Sequence, residues 1–367
     1  MTKRPLVKSA ALVAVLAIGV SACGDSGSDS SSKKDDDKPV TTVKTETSNA
    51  LADITGSIKG SGASFPDAFY QEAIEGLSDV APDLTVTYEA IGSSSGREQF
   101  GEGLNDFAGS DSLAKDEEGL ADFTYIPTTA ASIAVVYNLP GVEELKLDGP
   151  TVAKIFERKI TSWDDDAIAA LNEGVELPST DITVARRADG SGTTKNFTKF
   201  LESAAPDDWT LGSDDTVEWP ADTEGGQQNP GVAQIVSDTE GGIGYLDFGN
   251  ASELDMQMAS IENAEGEFVA PSIEATQAAL AGAELADDLT YDPLNGPGTG
   301  AYPITAPTFI LVHNSYADAA KGEAVVAFVK WLITDAADTY AADLGYAPLP
   351  EDFRTQAITA LDAVTVG

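Results

Sequence analysis

Within Arg186-Arg187-Ala188-Asp189-Gly190-Ser191-Gly192-Thr193 the chain places two guanidinium groups, a carboxylate and two hydroxyls, spaced by glycines. Glycines let a backbone approach a ligand closely, and the polar groups can surround a small anion with charge and hydrogen-bond donors. Three other stretches carry related chemistry: Gly60-Ser61-Gly62-Ala63-Ser64-Phe65-Pro66, Ile91-Gly92-Ser93-Ser94-Ser95-Gly96 and Asp106-Phe107-Ala108-Gly109-Ser110-Asp111-Ser112. The second of these also fits a different chemistry. Gly92-Ser93-Ser94-Ser95-Gly96 matches G-x-S-x-G, the nucleophile elbow of α/β-hydrolases. In that reading Ser94 is the nucleophile of a serine hydrolase, and His313, the sole histidine, is the base that follows in the correct chain order.

The elements around these loops decide what they can do. Leu84-Thr85-Val86-Thr87-Tyr88 alternates as a strand should, and Ile182-Thr183-Val184-Ala185 reads likewise. Pro66 suits a first helical turn, followed by Phe69, Ala73 and Leu77 on one face. Phe100 and Leu104 suggest a helix after the second loop, Leu113 to Leu120 stands in the same place after the third, and Phe197, Phe200 and Leu201 recur at helical spacing after the fourth. A strand, a small-residue turn and a helix aim the helix's unpaired N–H groups at whatever lies over the turn. Any one such loop is explained by helix capping alone. Four of them, with Arg187 and Asp111 among their residues, point to an anion cradle at the strand ends of an α/β fold.

Composition narrows the classes. The chain has 367 residues and a formal charge of −40, with 61 acidic against 21 basic side chains, which excludes a nucleic-acid binder held by phosphate neutralisation. With 42% hydrophobic residues it can bury a sizeable core, and its length favours two domains. One Cys and one His exclude a disulfide framework, a Cys-rich zinc site and a multi-histidine metal site; no metal or other cofactor is expected. No Walker sequence is present, so this chain is not expected to hydrolyse ATP. The acid excess repels anions at long range, but salt screens this beyond about 10 Å, so local donors must decide binding. Trp163, Trp209, Trp219 and Trp331 read as core or surface aromatics.

The N-terminus reads as an address. Lys3, Arg4 and Lys8 precede an apolar run from Ala10 to Val20, too short for a spanning helix, and Val20-Ser21-Ala22-Cys23 resembles a bacterial lipobox. Residues 1–22 are therefore expected to be a signal peptide, Cys23 a lipidated anchor, and 23–55 a flexible tether poor in large apolar side chains. The folded part is then extracytoplasmic, held at the membrane by its lipid.

The four loops, together with Trp163-Asp164-Asp165-Asp166-Ala167-Ile168, Ile243-Gly244-Tyr245-Leu246 and Tyr302-Pro303-Ile304-Thr305, resemble the phosphate-binding proteins of Pst-type ABC phosphate importers. The likeness spans about Gly56 to Pro350. It implies a periplasmic-binding-protein (type II) fold of two α/β lobes joined by a hinge, with inorganic phosphate in the interlobe cleft. Lobe one would combine 56–131 with 306–367, and lobe two would be 132–305. It implies a monomer without enzymatic turnover that delivers phosphate to a membrane permease and its ATPase.

Carried over by position, the resemblance makes Ser64, Phe65, Ser93, Asp111, Arg187, Ser191, Gly192 and Thr193 the ligand residues, with Asp189 orienting Arg187. The first loop departs from the family pattern at Ser61, commonly Ala or Gly, and at Ser64, commonly Thr, which keeps the hydroxyl and loses a methyl. An ionised Asp111 accepts hydrogen bonds and cannot donate them, so it would welcome a protonated oxyanion and repel bare sulfate. Arsenate shares phosphate's protonation and is not separated from it by this argument.

Overall fold

The computed structural model describes residues 51–367. Cys23, the expected signal peptide and most of the expected tether lie outside them. The tether's expected end at residue 55 needs correction. Leu51 is buried in the main hydrophobic cluster and Ile54 packs against it, because both are apolar side chains within reach of that core.

The loops are set up by two groups of parallel strands. β1 (Gly56–Gly62) lies between β2 (Leu84–Ala90) and β3 (Phe107–Ser110), parallel to both. Strand Thr183–Arg187 is likewise parallel to its neighbours Glu224–Gly226 and Gly242–Asp247. Parallel neighbours need crossover connections, which is why helices separate them in sequence. Helices Asp67–Val80 and Ser93–Gly101 follow β1 and β2, and Gly192–Ala204 and Gln228–Asp238 serve the other group. The expected faces are buried: Phe69, Ala73 and Leu77 in the first helix, Phe197, Phe200 and Leu201 in the third.

One long strand, β4 (Phe123–Tyr137), joins the groups. It is buried continuously from Ile126 to Tyr137, as befits a central strand covered on both faces. The sheet order is β2, β1, β3, Thr305–His313, β4, Gly242–Asp247, Thr183–Arg187, Glu224–Gly226. Strand Thr305–His313 runs antiparallel to both β3 and β4. The positions where the chain was expected to pass between lobes fall inside these two strands, where Ala131 pairs with Ala306 and Ser132 with Thr305.

Two local expectations are corrected. No α-helix follows the third loop: Leu113–Leu120 contains a single 3₁₀ turn, Asp116–Glu118, ended by Gly119 at φ 66°. Three successive acidic residues there offer no apolar face to bury. Leu104 is not on a helical face but 51% exposed, because helix Ser93–Gly101 stops short of it and Gly103 turns the chain at φ 68°.

Candidate functional site

The four loops meet. Ser93 opens its helix, and its Oγ accepts from the backbone N–H of Asp111 at 3.3 Å and of Gly192 at 3.2 Å, joining the second, third and fourth loops at one atom. Gly192 must be glycine: a Cβ there would sit 2.7 Å from the Asp111 Cβ and 2.8 Å from Ser93 Oγ. Gly92 has φ +91°, and a Cβ on it would stand 2.6 Å from Asp189 Oδ2. Ser191 caps helix Gly192–Ala204, its Oγ accepting from Thr194 N at 3.2 Å, and Thr193 lies fully buried in the first turn.

Arg187, at the end of its strand, is buried. Its Nε donates to Asp189 Oδ1 at 2.8 Å and its Nη2 to Asp189 Oδ2, a two-pronged contact that fixes the plane of the guanidinium. Nη1 donates to Asn229 Oδ1 at 2.8 Å and Thr193 Oγ1 at 3.3 Å. Asn229 carries the first loop into the same network, its N–H donating to Ser64 Oγ at 3.3 Å. Asp189 is thus seated where an orienting residue would be. Arg186, the neighbour, is half-buried and directs its Nη1 to the Arg187 carbonyl instead.

Asp111 is 2% exposed. Thr308 Oγ1 donates to its Oδ1 at 2.7 Å and Asn196 Nδ2 to its carbonyl at 2.6 Å. Burial pushes the Asp111 carboxyl up to about 7, against the pull of Thr308 and Arg187 and with help from Asp247 and Asp215. Asp247, behind Asn229 Nδ2 at 2.7 Å, is pushed by burial to about 6. Asp189 is also raised by burial, but the Arg187 hydrogen bonds outweigh this and hold it below the ordinary carboxylate range. The site therefore pairs one committed cation with a carboxyl poised near neutrality. Beside Asp111 opens a cleft of about 510 Å³, lined among others by Ser112, Lys195, Asn196 and Lys199.

Phe65 stands apart from the polar network. Its side chain is fully buried and its carbonyl accepts from Tyr346 Oη at 2.7 Å. The nucleophile-elbow pair does not assemble. Ser94 Oγ donates to Asp215 Oδ2 at 3.0 Å, while the His313 ring, at the end of its strand, stacks on Phe100 at 4.0 Å.

A model of the PBP superfamily domain matches residues 44–336. The phosphate-binding protein PstS of Xylella fastidiosa is 36% identical over 316 residues, covering 83% of this chain and 85% of that protein. The phosphate-binding protein PstS 3 of Mycobacterium tuberculosis is 34% identical over 373 residues, covering 96% and 98%.

The chain belongs to this PstS family. Solved phosphate-binding proteins share the PstS fold at lower identity. One described as a high-affinity periplasmic phosphate-binding protein bound with phosphate superposes with a TM-score of 0.70 at 22% identity, covering 85% of this chain and 96% of its own. One from Stenotrophomonas maltophilia gives 0.66 at 22% identity, covering 83% and 94%. These PstS relatives are named as phosphate-binding proteins. No helix among the described residues is long and apolar enough to cross a membrane.

Sequence reasoning missed Asn196, Asn229, Asp247 and Thr308. Asn229 follows the Gly225-Gly226 pair at the start of a helix, a faint signal of another close approach. Thr308 lies in an apolar strand and carried no signal at all.

Proposed function

We propose that this protein captures inorganic phosphate outside the cytoplasmic membrane and hands it to an ABC permease and its ATPase for import. Phosphate would lie between two hinged lobes, 56–131 with 306–367 on one side and 132–305 on the other. One observation carries the reading: hydroxyls and N–H groups from four separate loops converge around one oriented guanidinium and one buried carboxyl. In this reading Arg187 supplies charge, Ser64, Ser93, Ser191 and Thr193 supply hydroxyls, and backbone N–H groups of Phe65 and Gly192 complete the shell. Asp111 accepts the ligand's proton. The role requires the ionised form, which can only accept, so that bare sulfate would leave this carboxylate facing an unprotonated, like-charged oxygen.

Hydrogen bonds between the two expected lobes support a closed arrangement: Ser94 N to Gly190 O at 3.3 Å, Gln228 Nε2 to Ala90 O, and Asn196 Nδ2 to Asp111 O. Lipid attachment at Cys23, on residues outside the structure, would keep the monomer at the membrane that holds its permease.

Titration calorimetry tests the assignment. Phosphate should bind with measurable heat at pH 7, and sulfate in large excess should neither bind nor compete. Arsenate in a third titration shows how far shape alone decides. Equal binding of sulfate and phosphate would overturn the role of Asp111, and no phosphate binding would overturn the whole assignment.

A further inference from the structure

A second buried arginine lies one helical turn from the cradle. Arg97, in helix Ser93–Gly101, is 1% exposed at its side chain. Its Nε and Nη2 fork onto Glu118 at 2.7 and 2.9 Å, and its Nη1 donates to Ser110 Oγ and Ser112 Oγ, each at 2.8 Å. Nη2 also donates to Asp215 Oδ2 at 2.5 Å. Asp215 comes from the other side of the cleft in the two-lobe reading. Its carboxylate takes Ser94 Oγ as well, and its backbone carbonyl accepts from Ser191 N at 2.9 Å. One residue thereby grips the loop that carries Ser93 and the loop that carries Ser191 and Gly192. Its neighbour Asp214 repeats the crossing at the surface, where Lys115 Nζ donates to both carboxylate oxygens at 2.6 and 2.7 Å.

We propose that Asp215 and Arg97, assisted by Asp214 and Lys115, form a positioning clasp that draws the two sides of the anion cradle together and governs how long the ligand is retained. The inference rests on the hinged, phosphate-capturing reading above. The clasp touches no ligand atom; it acts through Ser93 and Ser191. Its chemistry is suited to release. Asp215 Oδ1 is buried without a hydrogen-bond partner, a loss that water repays as soon as the cleft parts. The buried pair opposes opening while this orphaned oxygen favours it, so the closed state is held without being locked. Breaking a buried, hydrogen-bonded charge pair acts chiefly on dissociation, whereas exposed pairs contribute little.

The test is stopped-flow phosphate binding with small-angle scattering, on wild type, Asp215→Asn, Lys115→Asp, Asp214→Lys and the double exchange of the last two. Asp215→Asn should raise the phosphate dissociation rate about tenfold or more, leave association within about threefold, and shift the ligand-free protein toward a larger radius. Discrimination against sulfate should not move. Each surface exchange alone should speed release a few-fold and the pair together should restore it. A folded Asp215→Asn protein that releases phosphate at the wild-type rate, or whose loss lies wholly in association, overturns the clasp while the wild-type binding and compaction stand. If Asp215→Asn does not fold, the surface set decides, and absence of coupling between Lys115 and Asp214 counts against the proposal. A wild type that binds phosphate without changing its radius removes the hinge and the clasp with it.

Discussion

Arg187 and Arg97 are equally hidden from solvent, yet they are spent differently. A guanidinium has five N–H donors. Arg97 commits every one of its nitrogens, two of them to Glu118 and one of those also to Asp215, so its surroundings carry two carboxylates for one cation. Arg187 has one carboxylate partner, Asp189, and its Nη1 rests on the neutral oxygens of Asn229 and Thr193. Around Arg97 both carboxylates are hydrogen-bonded to the guanidinium; around Arg187 only Asp189 is, the Asp111 carboxyl is held by Thr308, and the second Nη2 proton has no assigned acceptor. Burial and charge alone therefore do not mark a binding arginine. The proposed ligand role of Arg187 rests on the balance of committed donors and hydrogen-bonded carboxylates instead.

That contrast can be broken in three places. The largest effect is expected at Arg187. Arg187→Ala strips a buried charge and leaves Asp189 without its fork, so phosphate affinity should fall by about 5 kcal/mol in calorimetry. A variant that binds as the wild type does would transfer the ligand role elsewhere and erase the distinction.

Next comes the carboxyl that faces Arg187. Asp111 rises from an ordinary 3.8 to about 7 on folding, so the folded protein holds the proton more tightly than the unfolded chain. The stability this lends is complete below about pH 4 and is lost as pH rises through 7, up to about 4 kcal/mol in the ligand-free protein. Asp111→Asn should flatten that slope, leaving the smaller part due to Asp247, whose value is about 6. Urea unfolding at pH 5 and pH 8 measures it, and an unchanged slope in the variant would clear Asp111 of the effect. The smallest change belongs to Ser94→Ala, on the Arg97 side. It removes one neutral donor to Asp215 and should weaken phosphate binding by less than about 1 kcal/mol, and an esterase assay is expected to read the same for both proteins. A large loss of affinity would move Ser94 into the ligand shell.

What could be read beforehand depended on whether the signal was local. The four glycine-serine loops, the apolar faces of helices Asp67–Val80 and Gly192–Ala204, and the strand before Arg187 were legible because each rests on spacing within a dozen residues. Asp189 came from the family resemblance alone, since by itself a carboxylate two positions from Arg187 reads equally as a turn residue. Asn229, Thr308 and Asp215 were not legible. Each meets its partner across a long sequence separation, Thr308 to Asp111 across 197 residues and Asp215 to Arg97 across 118, so only the folded sheet brings them together. Arg97 passed unremarked because a basic residue on a short polar helix reads as solvated, whereas here its helix packs close, with Gly96 against the backbone of Gly62. The missing helix after Asp111 was misread by extending a pattern that held three times to a stretch with no apolar stripe.

β4 has a mechanical consequence. It pairs with Thr305–His313 along its first part and with Gly242–Asp247 along its last, and the change of partner falls near Ala131 and Ser132. On the β4 side no loop lies there to swivel, whereas the neighbouring strand begins at Thr305, directly after a turn at 303–304. If the sides of the cleft part, β4 must flex across its width, as a leaf spring does, with small side chains at the fold line, while its neighbour can turn just before Thr305. A strand that stays hydrogen-bonded to its neighbours keeps its pairing as it bends, so the loops that separate on opening would return to the same register each time.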